Sequence, residues 1–157
     1  MRIYFLRHGE ADWPTWTAAD SERPLTEKGI REMQLVAARI AALKLEPAAL
    51  LSSPFCRAAQ TAEILAAALG MTVITEPALA PGFGPSQLSG LIAKHSQRDL
   101  VLVGHEPDFS STIRSLTGGE IKMAKAGFAC VELVNAQTNA GELLWLVPPK
   151  IFKAGQA

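Results

Sequence analysis

Excess charge of one sign, cysteine and long apolar runs are all missing or scarce in this chain of 157 residues. Its 15 basic and 15 acidic side chains balance, so no long-range field attracts nucleic acid or an anionic membrane. No apolar run approaches membrane-spanning length, and the amino terminus lacks the regions of a signal peptide. We therefore expect a cytoplasmic protein that binds neither nucleic acid nor membrane, and a monomer as the default for a small neutral domain.

The sequence also lacks the residue spacings that are typical of metal sites and redox motifs. The two cysteines, Cys56 and Cys130, have neither metal-site nor redox-motif spacing, and without a secretion signal we expect reduced thiols. The third histidine, His95, stands in a polar helix end, and its spacing from the other two is not that of a metal site. The sequence therefore predicts no metal and no other cofactor.

The remaining composition predicts one globular domain, residues 1–157. Hydrophobic residues make up 48% of the chain and charged residues 19%, which is ordinary for a domain with a sizeable core. Strand patterns alternate with helical patterns through the first two-thirds, which predicts an α/β fold whose mainly parallel sheet is covered on both faces. Apolar runs at 128–134 and 143–147 predict a hairpin that extends one edge antiparallel.

Several residues predict where helices begin and end. Thr26 is predicted to cap a helix that ends near Lys44, and Gly70 is the predicted stop of a second helix. A third helical segment covers 108–116, where Asp108 is expected to act as a cap rather than as an acid.

Two segments are predicted to be loops. Residues 76–90 are rich in proline and glycine, with a short helix expected before the strand at 100. Residues 10–23 carry Trp13 and Trp16, which either form a lip that faces a partner or pack over the first helix.

Polar side chains follow three of the predicted strands. Arg7 and His8 come directly after the first strand, Arg57 follows the strand at 49–51, and His105 follows the strand at 100–103. Because the carboxyl ends of parallel strands share one edge of a sheet, these groups are expected to converge on one crevice. Two arginines beside two histidines predict a site for an anion, and phosphate is the anion that such a set favours.

The same residues can transfer a phosphoryl group. A neutral imidazole has a lone pair near pH 7, so His8 is a competent nucleophile toward phosphorus. Arg7 and Arg57 would pair with the phosphoryl oxygens where charge sits during transfer, without a metal. His105, if protonated, would add a third positive donor. Ser52 and Ser53 are expected to bond to turn backbone rather than to phosphate.

These motifs resemble the signature of the histidine phosphatase superfamily, also called the phosphoglycerate mutase-like family. Arg7-His8-Gly9 resembles its first motif, Arg57 in the run 52–62 its second arginine, and His105 in Gly104-His105-Glu106 its second histidine. The run Arg-Pro-Leu-Thr-Glu-Lys-Gly at 23–29 is also similar. Together the motifs span residues 1 to about 116 in the family's order.

The resemblance implies both a fold and a reaction. The implied fold is a three-layer α/β/α sandwich, mainly parallel with an antiparallel edge. The implied site is a phosphate pocket of Arg7, His8, Arg57 and His105, with a covalent phosphohistidine at His8. Within the superfamily, the short chain and the turn at 104–108 look most like the SixA phosphohistidine phosphatases, which act on a histidine of a signalling phosphotransfer protein.

One departure from the superfamily bears on the substrate. Mutases and phosphomonoesterases usually carry a general acid before the final histidine turn, but residues 77–98 contain no carboxylate. An alkoxide leaving group needs a proton, whereas histidine can leave as neutral imidazole, whose conjugate acid has a pKa of about 6.5. The missing acid favours a P–N substrate.

The sequence leaves two questions open: whether another carboxylate acts as the general acid, and whether the protein has a different function. Glu76, Glu106 and Asp108, with Glu10 and Asp12, lie near strand ends and could reach a leaving group. With such an acid the chain would be a phosphomonoesterase acting on a small phosphorylated metabolite. A phosphate-binding module without catalysis is the alternative from another class, although the intact nucleophile argues against it.

Overall fold

Six strands form one sheet in the computed structural model, which describes residues 1–96, 98–135 and 140–154. In chain order the strands are β1 Arg2–Arg7, β2 Ala49–Ser52, β3 Val73–Thr75, β4 Leu100–Gly104, β5 Phe128–Asn135 and β6 Ala140–Val147. Their spatial order is β3-β2-β4-β1-β5-β6, with parallel pairing from β3 to β1 and antiparallel pairing from β1 to β6. The predicted mainly parallel sheet with an antiparallel edge is confirmed.

The central strands read as continuous apolar runs because both of their faces are covered. In β1, residues 3–6 are buried, and in β4 every residue is buried. These two strands pair in parallel with Ile3 opposite Leu100 and Arg7 opposite Gly104. The amide of His8 continues the ladder by donating to the Gly104 carbonyl at 3.1 Å. This register therefore places His8 beside His105.

Helices cover the two faces and complete three layers: α1 Glu27–Ala42, α2 Cys56–Leu69, α3 Pro85–Lys94, α4 Asp108–Thr117 and α5 Pro149–Lys153. Apolar side chains of α1 and α2 pack with one face of the sheet around Leu6 and Val103. Those of α3 and α4 pack with the other face around Phe5 and Leu102. No helix of the described residues is long and apolar enough to cross a membrane.

The predicted helix boundaries hold where a side chain or a glycine fixes them. Thr26 caps α1, since its Oγ1 accepts from the Gly29 amide at 3.0 Å, and the helix ends two residues before Lys44. Gly70 ends α2 with a φ of +67°, in the left-handed region that favours glycine.

Two local expectations are corrected. The segment 76–90 is not all loop: a 3₁₀ turn spans Pro77–Leu79, and α3 already begins at Pro85, since proline is favoured in a first helical turn. Asp108 is not the cap of α4. Its Oδ2 accepts from the Gly82 amide at 2.8 Å, whereas Glu106 Oε1 accepts from the Ser110 amide of the first turn.

The hairpin is confirmed by antiparallel pairing of β5 with β6. Its predicted connection at 135–141 lies partly outside the described residues. At the other edge of the sheet, β3 begins at Val73 and is three residues long.

Candidate active site

His8 is fixed at the end of β1 by contacts on its backbone and its ring. The ring Nδ1 lies 2.7 Å from the carbonyl oxygen of Gly9, and the Gly9 amide donates to Thr61 Oγ1 of α2. A carbonyl oxygen accepts but never donates, so Nδ1 carries the proton and Nε2 has the free lone pair. His8 is thereby held in the tautomer that a nucleophile needs.

Arg57 approaches that lone pair from the first turn of α2. Its Nε donates to His8 Nε2 at 3.3 Å, and its guanidinium carbon lies 5.2 Å from the centre of the Phe55 ring. The Arg57 side chain is only 7% exposed. A buried guanidinium beside the free ring nitrogen of His8 is well placed to hold phosphoryl oxygens.

His105 faces His8 across the site. The two rings have centroids 5.3 Å apart, and His105 Nε2 lies 2.8 Å from the Oγ of Ser53. Its Nδ1 is buried without a hydrogen-bond partner in the described part of the chain, as is Nε of Arg7. Arg7 is otherwise held by a bond from Nη1 to the Met123 carbonyl at 2.8 Å. The four predicted residues thus converge, and two of them keep a buried nitrogen unpaired.

Burial sets the charge of both rings. It lowers the pKa of His8 from 6.5 to about 3, and the nearby charges of Arg57 and Arg7 act in the same direction. Burial, followed by the charge of Arg57, lowers the pKa of His105 to about 4. Both imidazoles are neutral at pH 7. The condition under which His105 would add a third positive charge, protonation of its ring, is therefore not met in the free protein.

Asp20 is a site residue that the sequence analysis missed. Arg57 donates from Nη2 to Asp20 Oδ2 at 3.1 Å and from Nη1 to the Asp20 carbonyl at 2.9 Å. Arg23 donates to the other carboxylate oxygen at 3.0 Å. The only sign of this contact in the sequence is that an acidic residue stands three positions before Arg23, and this spacing is common in turns.

Ser53 is a second residue whose contact with the site was not predicted. Besides its contact with His105, its Oγ accepts from the Phe55 amide at 3.2 Å, so one hydroxyl serves both the turn and the site. Ser52 behaves as expected, since its Oγ donates to the carbonyl of Ser53.

Comparison with known proteins agrees with this geometry. The family model described as "Histidine phosphatase superfamily (branch 1)" matches residues 3–83. The chain belongs to this superfamily. It is accordingly a phosphatase, a hydrolase of phosphorylated substrates.

Relatives and solved structures extend the match over nearly the whole chain. An uncharacterized protein of Picosynechococcus is 38% identical over 165 residues, covering 96% of this chain and 98% of the relative. The probable phosphoglycerate mutase GpmB of Yersinia pestis is 40% identical over 84 residues, 50% of this chain and 37% of GpmB.

Among structures, the protein histidine phosphatase SixA complexed with tungstate superposes with a TM-score of 0.85 at 28% identity, covering 98% of this chain and 100% of SixA. A putative SixA from Agrobacterium tumefaciens has a TM-score of 0.79 at 24% identity, covering 94% and 98%. These structures confirm the three-layer α/β/α fold, and the first of them confirms the resemblance to the SixA branch of the histidine phosphatase superfamily.

The carboxylates considered as general acids all have structural partners in this histidine phosphatase. Glu76 is buried and ion-paired with Lys94 at 2.6 Å, with His95 Nε2 3.3 Å away. Burial by itself raises the pKa of Glu76, but these two neighbours outweigh it and lower the pKa. Glu76 therefore stays ionised beside the end of α3 and is unsuited to donate a proton.

The remaining candidates are engaged as well. Asp12 is ion-paired with Lys125, and Glu10 lies 3.8 Å from Lys28. Glu106 accepts from the first turn of α4, and Asp108 accepts from the Gly82 amide, as described above. Carboxylates are thus present near the strand ends, but each described one serves local structure.

An open pocket flanks the four predicted site residues. It has a volume of about 700 Å³ and is lined by Asp12, Trp13, Pro14, Trp16, Ala18, Asp20 and Arg23. The indole nitrogens of Trp13 and Trp16 donate to the carbonyls of Pro24 and Ala19, while the side chains stay 40% and 36% exposed. The two tryptophans therefore form an exposed lip rather than packing over α1.

Proposed function

We propose that this histidine phosphatase removes phosphate from a phosphorylated histidine on another protein, with His8 as the nucleophile. The observation that carries the proposal is the His8 ring: Gly9 holds the proton on Nδ1, and Nε2 keeps its lone pair beside Arg57. Arg7, Arg57 and His105 are the other proposed catalytic and phosphate-binding residues, and no metal takes part in the proposed reaction.

The first step is an in-line displacement at phosphorus. His8 Nε2 forms the new P–N bond while the substrate nitrogen leaves with the electron pair of the old one. Arg57 and Arg7 stabilise the negative charge on the phosphoryl oxygens. The unpaired Nδ1 of His105 is available to donate to the same oxygens once the phosphoryl group is bound.

Water completes the reaction in a second displacement. It attacks phosphorus from the side that the substrate has left, and the P–Nε2 bond breaks with its electron pair returning to Nε2. Because Gly9 keeps the proton on Nδ1, His8 leaves as neutral imidazole and needs no added proton.

Two observations favour a protein phosphohistidine over a small phosphate ester. The carboxylates near the site are ionised or tied to structural partners, which suits a leaving group that departs as neutral imidazole. The tryptophan-lined pocket beside the site is open enough to receive the surface of a second protein. The SixA structure complexed with tungstate, described as a protein histidine phosphatase, supports the same substrate class.

The proposal is tested by phosphate release from two substrates with wild type and His8→Ala. A phosphotransfer protein phosphorylated on histidine should release phosphate rapidly with wild type and not with His8→Ala, while a small alkyl phosphate should be a poor substrate. Preference for the alkyl phosphate would establish a metabolite phosphomonoesterase instead. Binding of the phosphoprotein without release from either substrate would establish a phosphate-binding module, and an active His8→Ala would refute the nucleophile.

A further inference from the structure

Asp20 occupies an unusual position for an acidic residue, because it lies on the arginine that is proposed to bind phosphate. It begins the 3₁₀ turn Asp20–Glu22, and its side chain is 60% exposed while that of Arg57 is 7% exposed. The Arg57 guanidinium contacts His8 Nε2 through Nε and Asp20 Oδ2 through Nη2. A phosphoryl group held by Arg57 therefore lies next to the nucleophile and close to a carboxylate open to solvent.

A carboxylate in this position can assist the departure of the histidine ring of a phosphohistidine substrate. When the P–N bond breaks, the ring leaves as neutral imidazole only if its other nitrogen carries a proton. Without that proton it would leave as the far more basic imidazolide anion. A hydrogen-bond acceptor for the distal N–H keeps the proton in place, so it favours the reactive form of the substrate.

The site already contains such a hydrogen-bond acceptor for His8, the histidine of the enzyme itself. His8 is itself the leaving group in the second step, and the Gly9 carbonyl holds its Nδ1 proton at 2.7 Å. The two displacements are chemically alike, with a histidine on each side of the phosphorus. Asp20 is an exposed acceptor on Arg57 for the histidine that enters from solvent.

We propose that Asp20 is a specificity-determining residue whose carboxylate accepts a hydrogen bond from the distal ring N–H of the substrate phosphohistidine. The His8 Nε2–P bond forms, the substrate P–N bond breaks, and the electron pair returns to the substrate nitrogen. The proton stays on the distal nitrogen, bonded to Asp20. This inference rests on the proposed function and deepens it, because it names the residue that selects P–N over P–O substrates.

The charge state of Asp20 agrees with this role. Burial alone raises its pKa, but the hydrogen bond from Arg23 and the charge of Arg57 outweigh burial and lower it. An ionised carboxylate accepts a hydrogen bond from a ring N–H but has no proton to give to an alkoxide. The same side chain therefore assists a histidine and gives no help to an alkyl ester.

The test compares Asp20→Asn with wild type on phosphoimidazole and on p-nitrophenyl phosphate, whose nitrophenolate leaves without a proton. We expect Asp20→Asn to lower kcat/KM for phosphoimidazole by about ten- to a hundredfold, as for a lost hydrogen bond to a charged group. Turnover of p-nitrophenyl phosphate should change far less, because its leaving group needs no hydrogen-bond acceptor. The variant's rate with phosphoimidazole should also begin to fall at a lower pH, because the ring proton is held less firmly.

Glu22→Gln is the matched control, since Glu22 lies in the same exposed turn and should change neither rate. Inhibition by inorganic phosphate shows whether the Asp20→Asn site is intact. Equal losses on both substrates would overturn the proposal by showing that Asp20 only positions Arg57, and unchanged rates on both would overturn it as well. A wild type that hydrolyses p-nitrophenyl phosphate but not phosphoimidazole would instead refute the proposed function.

Discussion

Two neutral imidazoles surrounded by arginines are the main feature of the site at the scale of single residues. Burial and the charges of Arg7 and Arg57 hold the pKa of His8 at about 3 and that of His105 at about 4. In the free protein, burial together with this repulsion keeps the lone pair of His8 available at any pH near neutrality. A bound phosphoryl group brings negative charge close to His105 and so raises the pKa of its ring. His105 therefore becomes easier to protonate when substrate arrives.

Arg57 should be sensitive to loss of its shape even when its charge is kept. Arg57→Lys retains the positive charge but replaces the planar guanidinium, whose Nε and Nη2 reach His8 Nε2 and Asp20 in a fixed geometry, by a single nitrogen. We expect kcat/KM for the phosphorylated protein to fall by about a hundredfold or more. Steady-state phosphate release measures this, with Arg31→Lys on the exposed face of α1 as control. A loss below tenfold would show that charge alone suffices.

At the scale of elements, the start of α1 supports the loop that follows His8. The Glu10 carbonyl accepts from the Thr26 amide at 2.9 Å, and the missing side chain of Gly29 lets α1 lie directly on the Glu10 backbone. A Cβ at residue 29 would overlap the Glu10 carbonyl oxygen. The helix and the strand end thus share a contact that only glycine permits.

Gly29→Ala should therefore push α1 away from the loop after β1. We expect it to lower the free energy of unfolding by about 1–3 kcal/mol, as overpacking does, and to reduce activity with it. Urea unfolding measures the change. Gly90→Ala is the control: residue 90 lies in α3 with open space around it, so this variant should gain up to about 1 kcal/mol from helix propensity. Equal stability of the two variants would contradict the argument.

The elements also show what sequence reasoning reaches and where it stops. Thr26 and Gly70 marked helix ends correctly because capping is a local interaction between neighbouring residues. The start of α3 at Pro85 was missed because proline signals both a loop and a first helical turn. Asp20 was missed because its contact with Arg57 joins residues 37 apart and exists only once the loop lies on α2.

At the scale of the whole molecule, one sheet carries both apolar cores. The larger cluster packs with α3 and α4, and the other packs with α1 and α2 on the opposite face. Every strand contributes to this sheet, so neither core can be removed without exposing the other. We propose on this ground that residues 1–157 form a single domain.

The buried neutral histidines predict how the stability of this domain depends on pH. The folded-state pKa of His8 and of His105 lies below the unfolded value of about 6.5, so the unfolded chain binds more protons between that value and the folded ones. Stability therefore falls as pH drops below about 6.5, by about 2 kcal/mol per histidine at pH 5.

Thermal or urea unfolding at pH 7 and pH 5 measures this loss. His8→Asn removes one of the two groups and should lose roughly half as much stability between these pH values. A wild type that is equally stable at both would show that the two rings are accessible to protons when folded.

The central position of β1 has a consequence for how the chain is made. β1 precedes both of its partners along the chain, since it lies between β4, which begins at Leu100, and β5, which begins at Phe128. Neither partner can pair with β1 until synthesis has passed Leu100, so β1 stays unpaired while the intervening segments emerge from the ribosome. His8 is thus translated long before the strands that give it its final surroundings.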